Sequence, residues 1–209
     1  MRPLVALLLL TFSTTVLAID EGIDFFRLAE PQPTAVANDR IEVVDVFWYG
    51  CPACDAFKPF FDRWLANKPE DVEVIRLPAV FNETWRLHAR AHYTAEALGI
   101  VDRFHPAMFD AIHRERRNLN TEGAIERLFE ELGVERDAFR AAFNSFAVTT
   151  RTRRAEGQVN RYGVDGVPTV IVDGRFRASG SSAGGVNRLT EVLDHMIEQA
   201  RQERAAQAE

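Results

Sequence analysis

A run of β-branched and aromatic residues, Ile41 to Trp48, stops at Tyr49-Gly50 and passes directly into Cys51-Pro52-Ala53-Cys54. This junction constrains the fold more than any other stretch. IEVVDVFW reads as a buried strand. Cys51 then falls at the N-cap of a helix, with Pro52 at its first position, where a missing N–H costs nothing. Phe57, Phe60, Phe61, Trp64 and Leu65 recur at helical spacing until Asn67-Lys68-Pro69. Val72 to Leu77 is a second strand, stopped by Pro78. The unit is therefore β-α-β, with a CxxC at its first strand-to-helix corner.

Downstream the pattern changes. From about Asn82 to Tyr162 only helical periodicity is present, in segments Thr84–Leu98, Arg103–Arg116, Thr121–Leu132, Asp137–Asn144 and Phe146–Tyr162, with Gly99, Gly133 and Gly163 marking ends. Strand character returns over Thr169–Val172. Asp173-Gly174 is a hairpin turn, Arg175–Ala178 its second strand. After a Ser/Gly stretch from Ser179 to Gly185, an amphipathic helix carries Val186, Leu189, Val192, Leu193, Met196 and Ile197. Upstream, Phe25, Phe26 and Leu28 suit a short edge strand, and Pro31 and Pro33 interrupt regular structure. The sequence thus predicts an α/β unit interrupted by an all-helical block. Its boundaries are 19–82 and 163–209 for the α/β part and 83–162 for the insertion.

Residues 1–18 read as a signal peptide: Arg2 at the start, an apolar run from Leu4 to Leu10, and small residues before a cut expected after Ala18. The alternative is an uncleaved membrane anchor, but the run falls short of the roughly 20 residues a span needs. Export would place the chain where disulfides persist. The chain has two cysteines, both in one CxxC. A bridge across two residues closes almost no loop and adds little stability, so the pair points to chemistry rather than stapling. The net charge of −6 argues against nucleic acid as a partner.

Four features bear on that chemistry. A helix N-terminus favours a thiolate, which makes Cys51 the expected exposed, acidic nucleophile and Cys54 the resolving thiol. The alternative for a CxxC, half of a four-ligand zinc site, would need a second cysteine pair, which the chain lacks. Val167-Pro168 precedes the strand TVIV, where a proline is either strand punctuation or a cis proline in a tight site. Asp45 is a lone carboxylate in a buried strand, which is costly without a partner or a task; it could accept the proton of Cys54, and Arg76 in the next strand is a candidate partner. Trp48 and Tyr49 could form an apolar platform for substrate chains or could be packing, whereas Phe47 reads as core. His88 and His92 lie four apart, a spacing that can bind metal, but have no evident third ligand. Arg151, Arg153 and Arg154 read as a solvated helix face.

VVDVFWYGCPAC, GVPT at 166–169 and VIVDGRFR at 170–177 resemble the periplasmic disulfide oxidase family DsbA. So do Pro31-Gln32-Pro33, NSFAV at 144–148 and SAGG at 182–185. The resemblance implies a thioredoxin fold with an inserted helical domain, and a periplasmic thiol–disulfide oxidoreductase that introduces disulfides into exported proteins. It further implies Cys51 and Cys54 as the redox pair, Pro168 as a cis proline facing the sulfurs, Val167 as the substrate-contacting residue before it, and Asp45 in the position of a buried acid that is usually glutamate. The implied partners are folding exported proteins and a quinone-linked membrane oxidase of the DsbB type, with the chain a monomer and no nucleotide or metal cofactor. A reductase or isomerase of the same fold, or a CxxC metal carrier, are the rival readings. The departure is Ala53, where the family usually has histidine; losing a group that stabilises the thiolate implies a weaker oxidant.

Overall fold

The computed structural model describes residues 18–207. The expected signal peptide lies outside these residues except for Ala18. Five strands form one sheet: β1 (Phe26–Arg27), β2 (Ile41–Phe47), β3 (Val72–Pro78), β4 (Thr169–Val172) and β5 (Phe176–Ser179), in the spatial order β1-β5-β4-β2-β3. β2 and β3 run parallel, joined through helix α1 (Pro52–Asn67); the other pairings are antiparallel. Three residues, Asp173 to Arg175, link β4 to β5; Asp173 and Gly174 are both at positive φ (55° and 59°), and Arg175 N–H closes the turn on the Val172 carbonyl at 2.9 Å. Gly174 also tolerates no side chain, because a Cβ there would meet the Gln32 carbonyl oxygen.

β2 is buried along its whole length, as its near-continuous apolar sequence requires of a central strand. On one face Ile41 and Val43 meet Phe57 and Phe61 of α1 and Val192, Leu193 and Met196 of α7 (Leu189–Gln207). On the other, Val44, Val46 and Ile171 pack with Tyr93 and with Val148, Ala155 and Val159. These last residues belong to the helices between β3 and β4: α2 (Glu83–Ala97), α3 (Val101–His113), α4 (Glu122–Glu131), α5 (Arg136–Phe143) and α6 (Phe146–Arg161). This is the α/β arrangement with an inserted helical block that the sequence pattern predicts, and it is the thioredoxin-type fold that the family resemblance implies.

The differences are local. α3 starts at Val101, two residues before the expected Arg103, because Gly99 at φ 69° ends α2 and Ile100 caps the next helix. α7 starts at Leu189, leaving Val186 outside it: positive φ at Gly184 and Gly185 keeps the chain in turns, and Arg188 is tied to Asp24 and to the Ala183 carbonyl. Among the described residues no helix is long and apolar enough to cross a membrane.

Candidate active site

The Cys51 side chain is the N-cap acceptor of α1, taking the Cys54 N–H at 3.2 Å. Its thiol lies 3.4 Å from the Val167 carbonyl, to which it donates, and the Val167–Pro168 peptide bond is cis. Both cysteines are free thiols. Cys51 is 8% exposed, less open than the sequence suggests, because the 166–168 loop covers it. The thiols differ sharply in acidity. Cys51 is lowered to about 7, first by the Cys54 thiol and then by the Cys54 and Ala53 N–H groups, against the opposing effect of burial. Burial pushes Cys54 strongly up, and its hydrogen bond to Cys51 adds to this. One sulfur is thus prepared to be a thiolate and the other to hold its proton, the asymmetry that thiol–disulfide exchange uses.

Asp45 lies behind the pair on β2. It shares a cavity of about 20 Å³ with Cys54, Lys58, Arg76, His105 and Pro168. That is room for about one water. Burial raises the Asp45 carboxyl from 3.8 to about 7; the Arg76 charge pulls it down by less, and Asp62 adds slightly to the rise. Arg76 is the register partner of Asp45 on β3, yet its Nε is buried without a hydrogen-bond partner. Arg76 therefore acts on Asp45 as a nearby charge, not as a hydrogen-bonded mate.

The aromatic residues divide. Trp48 is half-buried and stacks on Trp85, with centroids 4.3 Å apart and planes 7° from parallel; Phe81 lies tilted against Trp85 at 4.8 Å. The Trp48 ring covers Gly50, where a Cβ would lie 2.3 Å from it, so the turn before Cys51 needs glycine. Tyr49 corrects an expectation. It is fully buried, so it presents no surface to a substrate chain; its hydroxyl sits 2.9 Å from His92 Nδ1 and 3.2 Å from His105 Nδ1. Phe47 is core, as expected.

His88 and His92 point to different partners. His88 Nε2 lies 3.2 Å from the Leu119 carbonyl, while His92 is between Tyr49 and Glu96. Burial lowers both, His88 to about 4. Among the described residues no group of three or more His, Cys, Asp or Glu comes together to hold a metal ion. Arg151 is not merely solvated: it pairs with Glu96 and covers the Tyr93 ring, 4.6 Å from its centroid. Sequence reasoning passed over His105 and His113, which reach the corner from α3. Their signal was present in His105, Phe109 and His113, four apart on one helical stripe.

Beside Cys51 runs a groove of about 350 Å³, whose lining includes Ala53, Val167, Pro168, Gly180 and Val186. A thioredoxin-type sheet, a CxxC capping its first long helix and a proline loop against the leading sulfur together define a thiol–disulfide oxidoreductase. The chain belongs to the DsbA family: the model of the DSBA-like thioredoxin domain matches residues 42–195. It is 39% identical to the thiol:disulfide interchange protein DsbA of Azotobacter vinelandii over 86% of this chain and 84% of that one. The Pseudomonas aeruginosa DsbA is 37% identical over 86% of this chain and 85% of that protein. A crystal structure of the Pseudomonas aeruginosa protein superposes with a TM-score of 0.83 at 36% identity, covering 91% of this chain and 97% of that one.

Proposed function

We propose that the chain works in the periplasm as a dithiol oxidase, passing the Cys51–Cys54 disulfide to exported proteins as they fold. The observation that carries this is the opposed acidity of the two thiols. A leading thiolate near neutrality and a buried, protonated partner stabilise the dithiol form, and a stable dithiol makes the disulfide a willing oxidant. A substrate thiolate attacks Cys51 Sγ of the disulfide, and the Cys51–Cys54 bond breaks. Cys54 leaves as a thiolate, and Asp45, which holds a proton to about pH 7, supplies it through the small cavity. A second substrate thiolate then attacks the substrate sulfur of the mixed disulfide, and Cys51 departs as the better leaving group.

In this reading Val167 and Pro168 with Ala53 present the groove to an extended substrate segment, and the half-buried Trp48 adds apolar surface before the corner. Residues 83–162 act as an inserted domain on the scaffold formed by 19–82 and 163–209. The resemblance to DsbA proteins extends the proposal to reoxidation by a membrane oxidase of the DsbB type, to export after cleavage near Ala18, and to a Gram-negative host.

The test is oxidative refolding of a reduced, unfolded protein by the oxidised chain. Cys51→Ser should abolish disulfide transfer. Cys54→Ala, loaded at Cys51 with a small mixed disulfide, should accumulate substrate adducts at Cys51. Adducts that form only at Cys54, in a Cys51→Ala variant loaded the same way, would sink the oxidase reading. So would a pair found mostly reduced in the periplasm.

A further inference from the structure

Three histidines of the helical block converge on one residue of the redox corner. His92 and His105 flank the Tyr49 hydroxyl through their Nδ1 atoms. His113 Nε2 donates to the Tyr49 carbonyl at 2.7 Å. A carbonyl can only accept, so His113 carries a proton on Nε2. The Phe109 ring stacks on His113 with centroids 5.9 Å apart and planes 24° from parallel, which restricts its rotation. Tyr49 and both cysteines belong to the same apolar cluster as Phe104, Met108 and Phe109 of α3.

The carbonyl is two residues before Cys51. In the intervening turn Cys51 N–H reaches the Trp48 carbonyl at 3.1 Å, and Cys51 then takes an extended conformation (φ −86°, ψ 115°) that aims Sγ at the Cys54 N–H. The Tyr49–Gly50 peptide is the hinge of this turn, and glycine at 50 leaves it little stiffness of its own. A strong donor on the Tyr49 oxygen fixes the rotation of that peptide.

We propose that His113 is a positioning residue for the Cys51 thiolate: its bond to the Tyr49 carbonyl locks the turn that holds Sγ against the Cys54 N–H, so that α3 tunes the nucleophile from outside the CxxC. The inference rests on Cys51 being the reactive sulfur. Limited alkylation of the reduced full chain, read by peptide mass, checks that premise separately: first labelling at Cys54 would refute the site assignment, whatever His113 does.

The test of the inference titrates the Cys51 thiolate by its ultraviolet absorbance. His113→Leu should lower the thiolate fraction below its midpoint by about fivefold, the weight of one ordinary hydrogen bond. His113→Asn, polar but too short to reach, should lower it similarly. His113→Gln, whose amide N–H can reach the same carbonyl, should restore it. Phe143→Leu is the comparison for mere loosening: it thins the helical core and should lower the thermal midpoint without moving the Cys51 titration. The idea is overturned if the leucine and asparagine variants shift Cys51 no more than Phe143→Leu does, or if glutamine fails to restore it.

Discussion

Asp45 and Asp173 are almost equally buried, 5% and 4% exposed, at opposite ends of the central strands. Their surroundings differ in kind. Asp173, in the β4–β5 turn, receives Arg204 through both carboxylate oxygens and has Arg175 Nε at 3.4 Å. Arg204 in turn is held by the Asn38 carbonyl at 2.6 Å. Asp45 has the Arg76 charge nearby but no such clamp, and burial raises it to about 7. The two sites show how the molecule uses its buried acids. A carboxylate held by two arginines ties a turn to the last helix. An unclamped one keeps a proton into the neutral range, as the proposed transfer to Cys54 requires.

The strongest consequence falls at the redox end. The unfolded chain ionises Asp45 near 3.8 and the folded chain near 7. Stability from the protonated carboxyl is therefore complete below about pH 4 and is lost as pH rises through about 7. The separation sets a ceiling of about 4 kcal/mol, at 1.36 kcal/mol per pKa unit. Asp45→Asn should remove this loss. In urea unfolding of the reduced protein, the variant should gain on the parent between pH 5 and pH 8; an equal difference at both pH values would refute the assignment. Asp173→Asn breaks the other side. It retains the side-chain shape that tolerates the positive φ of 55° but takes the carboxylate from Arg204 and leaves Arg175 with the Glu203 carboxylate alone. It should cost about 3 kcal/mol, with no change in disulfide transfer.

The contrast also marks what was legible in the sequence. Strand and helix order follows from apolar periodicity and from Gly and Pro punctuation, so the five inserted helices and the hairpin appear close to their expected bounds. Cys51, Cys54 and Pro168 were legible because each has a positional meaning: a cap, a turn of helix, a strand start. Asp45 was legible as an anomaly, a charge in an apolar run. The clamp on Asp173 was not, since Arg204 is 31 residues away in the chain and has the same appearance as any helix-surface arginine. Tyr49 was misplaced for a related reason. Its neighbours in sequence are the corner, but its hydroxyl partners, His92 and His105, come from a helical block whose docking no local pattern encodes.

Ala53 offers the smallest and most specific change. It is exposed at the second turn-forming position of the motif, and its N–H is one of the groups that lower Cys51. Alanine contributes that backbone donor and nothing more. A histidine there would add an imidazolium beside the thiolate, worth roughly 1.5–3 kcal/mol as a charge-assisted interaction. Because the charge would favour only the dithiol form, the Cys51–Cys54 potential should rise by roughly 30–60 mV, at about 30 mV for each 1.4 kcal/mol. Equilibration with glutathione measures this directly. A rise would show that the redox end still has unused electrostatic room, unlike the saturated clamp on Asp173. An unchanged or lower potential would mean that the α1 N–H groups and the turn held by His113 already stabilise the thiolate as far as the site allows.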